Sequence, residues 1–147
     1  MNAVEKLRAD HRKVKKLFED FASATTEAKK QSIAQTLFKE LEVHALVEQE
    51  IFYPAVRAES DAEGEEVVHE ALRQHESIAS LIEELKSLEV GSSGFEEQFG
   101  QLRDEVDEHV EIEENEMFPG AQHDLGQELD TLGEVIDRRK EELEASG

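Results

Sequence analysis

Cysteine is absent from the 147 residues, which removes disulfides, thiolate nucleophiles, cysteine-type zinc sites and iron–sulfur clusters together. Basic residues are scarce: 16 Lys and Arg stand against 37 Asp and Glu, for a formal net charge of −21. Nucleic-acid phosphates demand a basic surface and anionic membranes attract one, so neither is an expected partner. Long apolar runs are missing too. No stretch approaches the roughly 20 residues that span a bilayer, and residues 1–13 contain no hydrophobic h-region, so the expected location is cytoplasmic. Strand-like alternation never extends to a useful length. Any metal chemistry in this chain must therefore use His, Asp, Glu or Tyr.

What is present is amphipathic helix. The length suits about one domain with one substantial core, and apolar residues recur at alternating steps of three and four. Helices are expected at about 3–21, 29–53, 65–88, 94–118 and 126–144. Their apolar faces carry Val4, Leu7, Val14, Phe18 and Phe21; Ile33, Leu37, Leu41 and Ile51; Val68, Leu72, Ile78, Ile82 and Leu85; Phe95, Phe99, Leu102, Val106 and Met117; and Leu129, Leu132, Ile136 and Leu143. Loop chemistry separates them at Ser23–Thr26, after Pro54, at Gly91–Gly94 and at Pro119-Gly120, with the two prolines expected to stop the second and fourth helices. The fold class is all-α: an antiparallel up-down-up-down four-helix bundle over residues 1–120. Residues 121–147 form an additional C-terminal helix packed on the same domain.

The chain repeats itself. The segment from His11 to Leu17 aligns with His75 to Leu81, and His44–Glu48 aligns with His109–Glu113; each copy then reaches its proline at the same distance, Pro54 and Pro119. The polar exceptions to the apolar faces fall at the same places in both copies. His11 continues the row Val4–Leu7–Val14–Phe18, and His75 continues Val68–Leu72–Ile78–Ile82. His44 with Glu48, and His109 with Glu113, interrupt the other two rows one turn apart on the same face. Four histidines and two glutamates thus point inward, where unpaired polar groups cost several kcal/mol each.

A metal removes that cost, and imidazole with carboxylate suits iron, manganese or zinc. Four His and two bridging Glu supply about eight donor bonds and a bridging oxygen about two more. Two six-coordinate metals want about twelve, which leaves roughly one open position on each; a single tetrahedral zinc would leave several groups unused. A ferritin-like carboxylate site needs Glu-x-x-His on two helices. That spacing occurs only once, at Glu66–His69. His69 and His123 have no repeat partners and read as surface or helix-end residues.

These residues resemble the hemerythrin-like family, the HHE cation-binding domains. The likeness covers about residues 3–120: Asp10-His11, Val43–Glu48 running into Ile51–Pro54, Gln74–Glu76, and His109-x-x-x-Glu113 running into Met117–Pro119. The resemblance implies a four-helix bundle with two iron ions, oxo- or hydroxo-bridged, held by His11, His44, Glu48, His75, His109 and Glu113. Oxygen-carrying hemerythrins use a fifth histidine one turn from the third-helix ligand, and here Ala71 and Ala79 flank His75; they also use His-x-x-x-x-Asp where this chain has His109-x-x-x-Glu113. Members without the fifth histidine are linked to peroxide removal, nitric oxide handling and iron or oxygen sensing. The expectation is therefore a non-haem di-iron protein that reacts with small oxidants, with catalase- or peroxidase-like decomposition of hydrogen peroxide placed first. The alternative is a module that binds or senses dioxygen, nitric oxide or iron without turnover. A monomer is compatible with either. Tyr53, the single tyrosine, is a candidate additional metal ligand, although on an ideal α-helix it would point away from Glu48.

Overall fold

The starts of the helices follow from side chains able to take over free backbone N–H groups. In a computed structural model, which describes residues 1–146, the chain forms α1 (Ala3–Ser23), α2 (Glu27–Val47), α3 (Tyr53–Glu59), α4 (Ala62–Lys86), α5 (Ser93–Ile112), α6 (Phe118–Leu125) and α7 (Glu128–Ser146). Asn2 and Glu5 form a reciprocal capping box ahead of α1. Thr26, Asp61 and Ser92 accept from Lys29, Gly64 and Phe95 at the starts of α2, α4 and α5. Each such cap stabilises its helix by about 1 kcal/mol.

Two junctions depart from the expected pattern. Pro54 and Pro119 do not stop their helices. A π-helical turn, Glu48–Phe52, joins α2 to α3, and a second, Glu113–Met117, joins α5 to α6. The amide of Tyr53 reaches back five residues to the Glu48 carbonyl, and Phe118 does the same to Glu113. Each proline then sits in the first turn of the next α segment, where its missing N–H leaves no bond unmade. The rods therefore run on to Glu59 and Leu125, and the second break shrinks to Ser60 and Asp61.

Four rods (α1, α2–α3, α4 and α5–α6) make the bundle, and α7 lies against it. Two apolar clusters fill the interior. One is built from Val14, Phe18, Phe21, Leu37, Ile82, Phe95, Phe99 and their neighbours. Phe99 meets Phe21 at 4.1 Å between ring centroids and Phe18 edge-on at 5.3 Å. The other gathers Val4, Leu7, Val47, Phe52, Phe118, Leu129 and Ile136. Between them lies a layer of buried polar side chains.

The last helix enters through Gly126, whose φ of 51° is the only positive value among the described residues and is available to glycine without a Cβ clash. It then crosses the start of α1 closely: a Cβ on Gly133 would lie 2.7 Å from the Met1 carbonyl oxygen. Lys6 pairs with Asp137, and Arg139 with Glu50, along the same seam. No helix among the described residues is long and apolar enough to cross a membrane.

Candidate metal centre

The polar layer is made of the six inward-pointing residues that the repeat singles out. His11, His44, His75 and His109 are buried, and Glu48 and Glu113 are fully so. Donor atoms of His11, His44, Glu48 and Glu113 lie within 4.8 Å of one another, as do those of Glu48, His75 and His109. Glu48 belongs to both groups and Glu113 reaches toward both: its Oε1 is 3.0 Å from His11 Nε2 and 3.5 Å from His109 Nε2. His69 and His123 are exposed and stand apart.

Tyr53 is the seventh member, and the π turn is what brings it there. An α-helix would carry the residue five after Glu48 past the site. The inserted residue holds it back, so Tyr53 falls roughly where the next turn over Glu48 would lie. Its hydroxyl donates to Glu113 Oε2 at 2.6 Å and lies 3.1 Å from Glu48 Oε1, 3.2 Å from His75 Nε2 and 3.4 Å from His109 Nε2. The expectation that Tyr53 points away from Glu48 is thus corrected. Its repeat counterpart Phe118 is fully buried and stacks on His11, with 5.7 Å between centroids.

All four imidazoles turn Nε2 inward and Nδ1 outward, and each Nδ1 has a partner. His44 donates to Asp10 at 2.8 Å, His11 to Glu114 at 2.8 Å and His109 to Gln74 at 2.7 Å, while Gln49 donates to His75 at 3.0 Å. Lys140 of α7 in turn donates to both oxygens of Asp10, at 2.6 and 2.7 Å. Such outer hydrogen bonds fix ring orientation and tautomer at metal sites. Apart from Asp10 and Gln74, quoted only within the family motif, sequence reasoning did not reach these residues. The available signal was adjacency: Asp10, Gln49, Gln74 and Glu114 each stand next to a candidate ligand in the chain.

The electrostatics show why the site wants a cation. A ring that gives its Nδ1 proton to an outer partner presents an Nε2 lone pair to carboxylate oxygens, and like lone pairs repel. Burial alone would pull the His44 pKa down, but the charge of Glu48 and the Asp10 hydrogen bond outweigh it and hold His44 well above its ordinary value. His109 is raised in the same way, with Glu113 as the main opposing charge. Burial pushes Glu48 up, yet the His44 charge and hydrogen bonds from its neighbours bring it well below the usual carboxylate range. Tyr53 is raised well above its ordinary value by burial and by the Glu48 and Glu113 charges. Without a metal, then, protons must take the cation's place. Even so, His44 Nε2 and Glu48 Oε2 are buried with no hydrogen-bond partner, which costs about 1–3 kcal/mol per group. A metal ion fits this donor set.

Above the imidazoles, on the side away from Tyr53, a cavity of about 60 Å³ touches all four histidines. Val14, Leu41, Ile78, Ile82 and Val106 make most of the rest of its wall, with Ala45, Ala79, Val110 and the acidic Glu42.

The family model for the hemerythrin HHE cation binding domain matches residues 2–121. The chain belongs to that family. Among relatives of this HHE domain, an uncharacterized protein of Mycobacterium tuberculosis (strain H37Rv), Rv2633c, is 24% identical over 149 residues, covering 99% of this chain and 89% of that protein. A DNA nickase from a Nostoc species is 30% identical over 128 residues, which are 87% of this chain but only 36% of the nickase. The crystal structure of a hemerythrin HHE cation binding domain-containing protein from Mycobacterium kansasii, an Rv2633c homologue, superposes with a TM-score of 0.86 at 23% identity. That match covers 99% of this chain and 89% of that one, and it establishes the likeness of fold.

Proposed function

We propose that this HHE domain holds two iron ions between its helices and decomposes hydrogen peroxide. The observation that carries the metal reading is the convergence of four Nε2 atoms on two fully buried glutamates, with two buried polar atoms left unpartnered. His11 and His44 would hold one ion, His75, His109 and Tyr53 the other, and Glu48 and Glu113 would serve both. When bound, a pair of irons supplies a two-electron redox couple. The electron balance needs no other reagent. One peroxide gains two electrons and two protons and becomes two waters, and a second loses two electrons and two protons and leaves as dioxygen.

Around that chemistry the chain has three tasks. The outer partners keep the rings aimed inward. While uncoordinated, Tyr53 Oη holds a proton within reach of Glu48 and Glu113; binding the ion would pass that proton to a neighbouring carboxylate. The cavity over the histidines has room only for a small molecule, and apart from the four rings and Glu42 its wall is apolar, which suits an uncharged one. Hydrogen peroxide meets that description. Reconstituted protein should sustain oxygen evolution from peroxide at an oxygen electrode for many equivalents per chain; a single stoichiometric burst would count against turnover.

A second reading, binding or sensing of dioxygen, nitric oxide or iron, is favoured by one feature. Lys140 ties α7 through Asp10 to His44, so a change at the centre has a direct mechanical route to the last helix. DNA nicking is not carried over from the Nostoc protein, since a net charge of −21 opposes binding to phosphates.

A further inference from the structure

The repeat makes the histidine and glutamate ligands of the two positions alike, with Tyr53 the one difference facing the metals, but the residues behind them are sorted by charge. Asp10 and Gln74 are equivalent, each preceding the first histidine of its copy, and Gln49 and Glu114 are equivalent, each following the glutamate. At each pair of equivalent places the chain has one acid and one amide. Two of the hydrogen bonds, His11 with Glu114 and Gln49 with His75, cross between copies while the other two stay within one, so the acids do not end up on opposite sides. Both back the same pair of rings: Asp10 holds His44 and Glu114 holds His11. The two amides back the other pair, with Gln49 at His75 and Gln74 at His109.

We propose that the two positions are thereby made unequal: the one at His11 and His44 takes the first divalent cation and holds it tightly, and the one at His75 and His109 loads second and is the more labile. This rests on the two-metal reading above. A carboxylate accepting the Nδ1 proton polarises the ring and makes Nε2 a stronger donor than an amide does, and it adds negative charge just behind the ion. The orientation of Gln49 works in the same direction. Its amide nitrogen donates to His75 Nδ1, which leaves the ring proton on Nε2, facing Glu48 Oε1 at 3.0 Å. A metal on this Nε2 requires the amide to turn over so that Nδ1 can donate to it, a rearrangement that the carboxylate partners of His44 and His11 do not need. His44 and His11 already offer their Nδ1 protons outward.

Lys140 offsets part of the charge of Asp10, and α7 thereby trims the stronger position. The consequences of losing it separate an electronic role for Asp10 from a merely structural one. Removing the ammonium leaves Asp10 wholly to His44, so its effect on the ring grows.

The test is titration of metal-free protein with Co²⁺, followed by absorption and calorimetry, with circular dichroism melts to check that each variant folds. The wild-type chain should bind two equivalents in two steps, the first at least about ten-fold tighter. The D10N/E114Q variant keeps a hydrogen-bonding partner at each ring and should lose about 10–100-fold in the first step, the range typical of altered outer-shell partners. Q49E/Q74E should tighten the second step and draw the two together. K140M should leave the first step as tight as before or tighter. In the Y53F background, which removes the ligand that only the second position has, the two ⁵⁷Fe Mössbauer doublets should converge when D10N/E114Q is added. Two equal steps in the wild type, or unchanged titrations in both double variants, would overturn the inequality while leaving a two-metal centre. Absence of any bound metal would instead sink the two-metal reading and this inference with it.

Discussion

Replacing Tyr53 by Phe removes one oxygen from the most crowded part of the polar layer. No cavity should result, because the repeat already places a phenyl ring at the equivalent position, Phe118, fully buried against His11. What is lost is the hydroxyl that donates to Glu113 at 2.6 Å and lies 3.1 Å from Glu48. A hydrogen bond to a buried charged group contributes about 1.5–3 kcal/mol, and here the carboxylate left behind has no water to turn to. For a chain of this size, each kcal/mol moves the melting temperature by about 2–4 °C. Metal-free Y53F should therefore melt about 3–12 °C below the wild type by scanning calorimetry. Iron-loaded Y53F should in addition lose any visible band arising from a phenolate–ferric bond. A metal-free midpoint within about 1 °C of wild type would refute the claim that the hydroxyl serves the carboxylates. A visible spectrum unchanged by the substitution would refute coordination.

Other consequences can be checked with equally simple measurements. His44→Ala or Glu113→Ala should prevent loading of the full metal complement and remove the metal-dependent gain in melting temperature, because metal binding is coupled to folding; unchanged metal content in both would mean that the ligands are wrongly assigned. In the metal-free protein, His44 and His109 are raised above the ordinary 6.5 and Glu48 is lowered below 4.5. The histidine contribution is fully present below pH 6.5 and fades as pH climbs through their folded values, while that of Glu48 is present above pH 4.5 and fades as pH falls through its folded value. Metal-free stability should thus peak between these limits. The metal must displace the same histidine protons, so the gap between loaded and metal-free melting temperatures should widen from pH 6 to 8.5; a gap that narrows would contradict the assignment. Gly133→Ala should cost about 1–3 kcal/mol, the usual penalty of overpacking, since its Cβ would meet the backbone of Met1, Asn2 and Ala3 rather than a movable side chain; a wild-type denaturation midpoint would show that this seam yields freely.

Much of this architecture could be read from periodicity. Val4, Leu7, Val14, Phe18 and Phe21 are all buried along α1 as their spacing requires, and the six polar exceptions fall together in one layer. Burial departs from the pattern at Leu72 and Ile51, which are half-buried while Ala71, Val47 and Phe52 take the interior places. Ile51 lies inside a π turn, where a projection at the α-helical angle no longer holds. The same inserted residue hid the continuation of the helix past Pro54 and Pro119 and the inward turn of Tyr53, because local propensity treats proline as a stop. The outer partners were illegible for a different reason. Asp10, Gln49, Gln74 and Glu114 sit off the apolar face, and in a chain with 37 acids an extra carboxylate carries no signal until the helices are docked. The contact of Lys140 with Asp10 is longer in range still, spanning 130 positions.

The central claim is that this layer exists to hold two metal ions, and counting them is the most direct test. Metal-free chain dialysed to equilibrium against excess ferrous iron under anaerobic conditions should hold about two irons per chain above the free concentration, as the ligand count requires. One ion, or none, would contradict it.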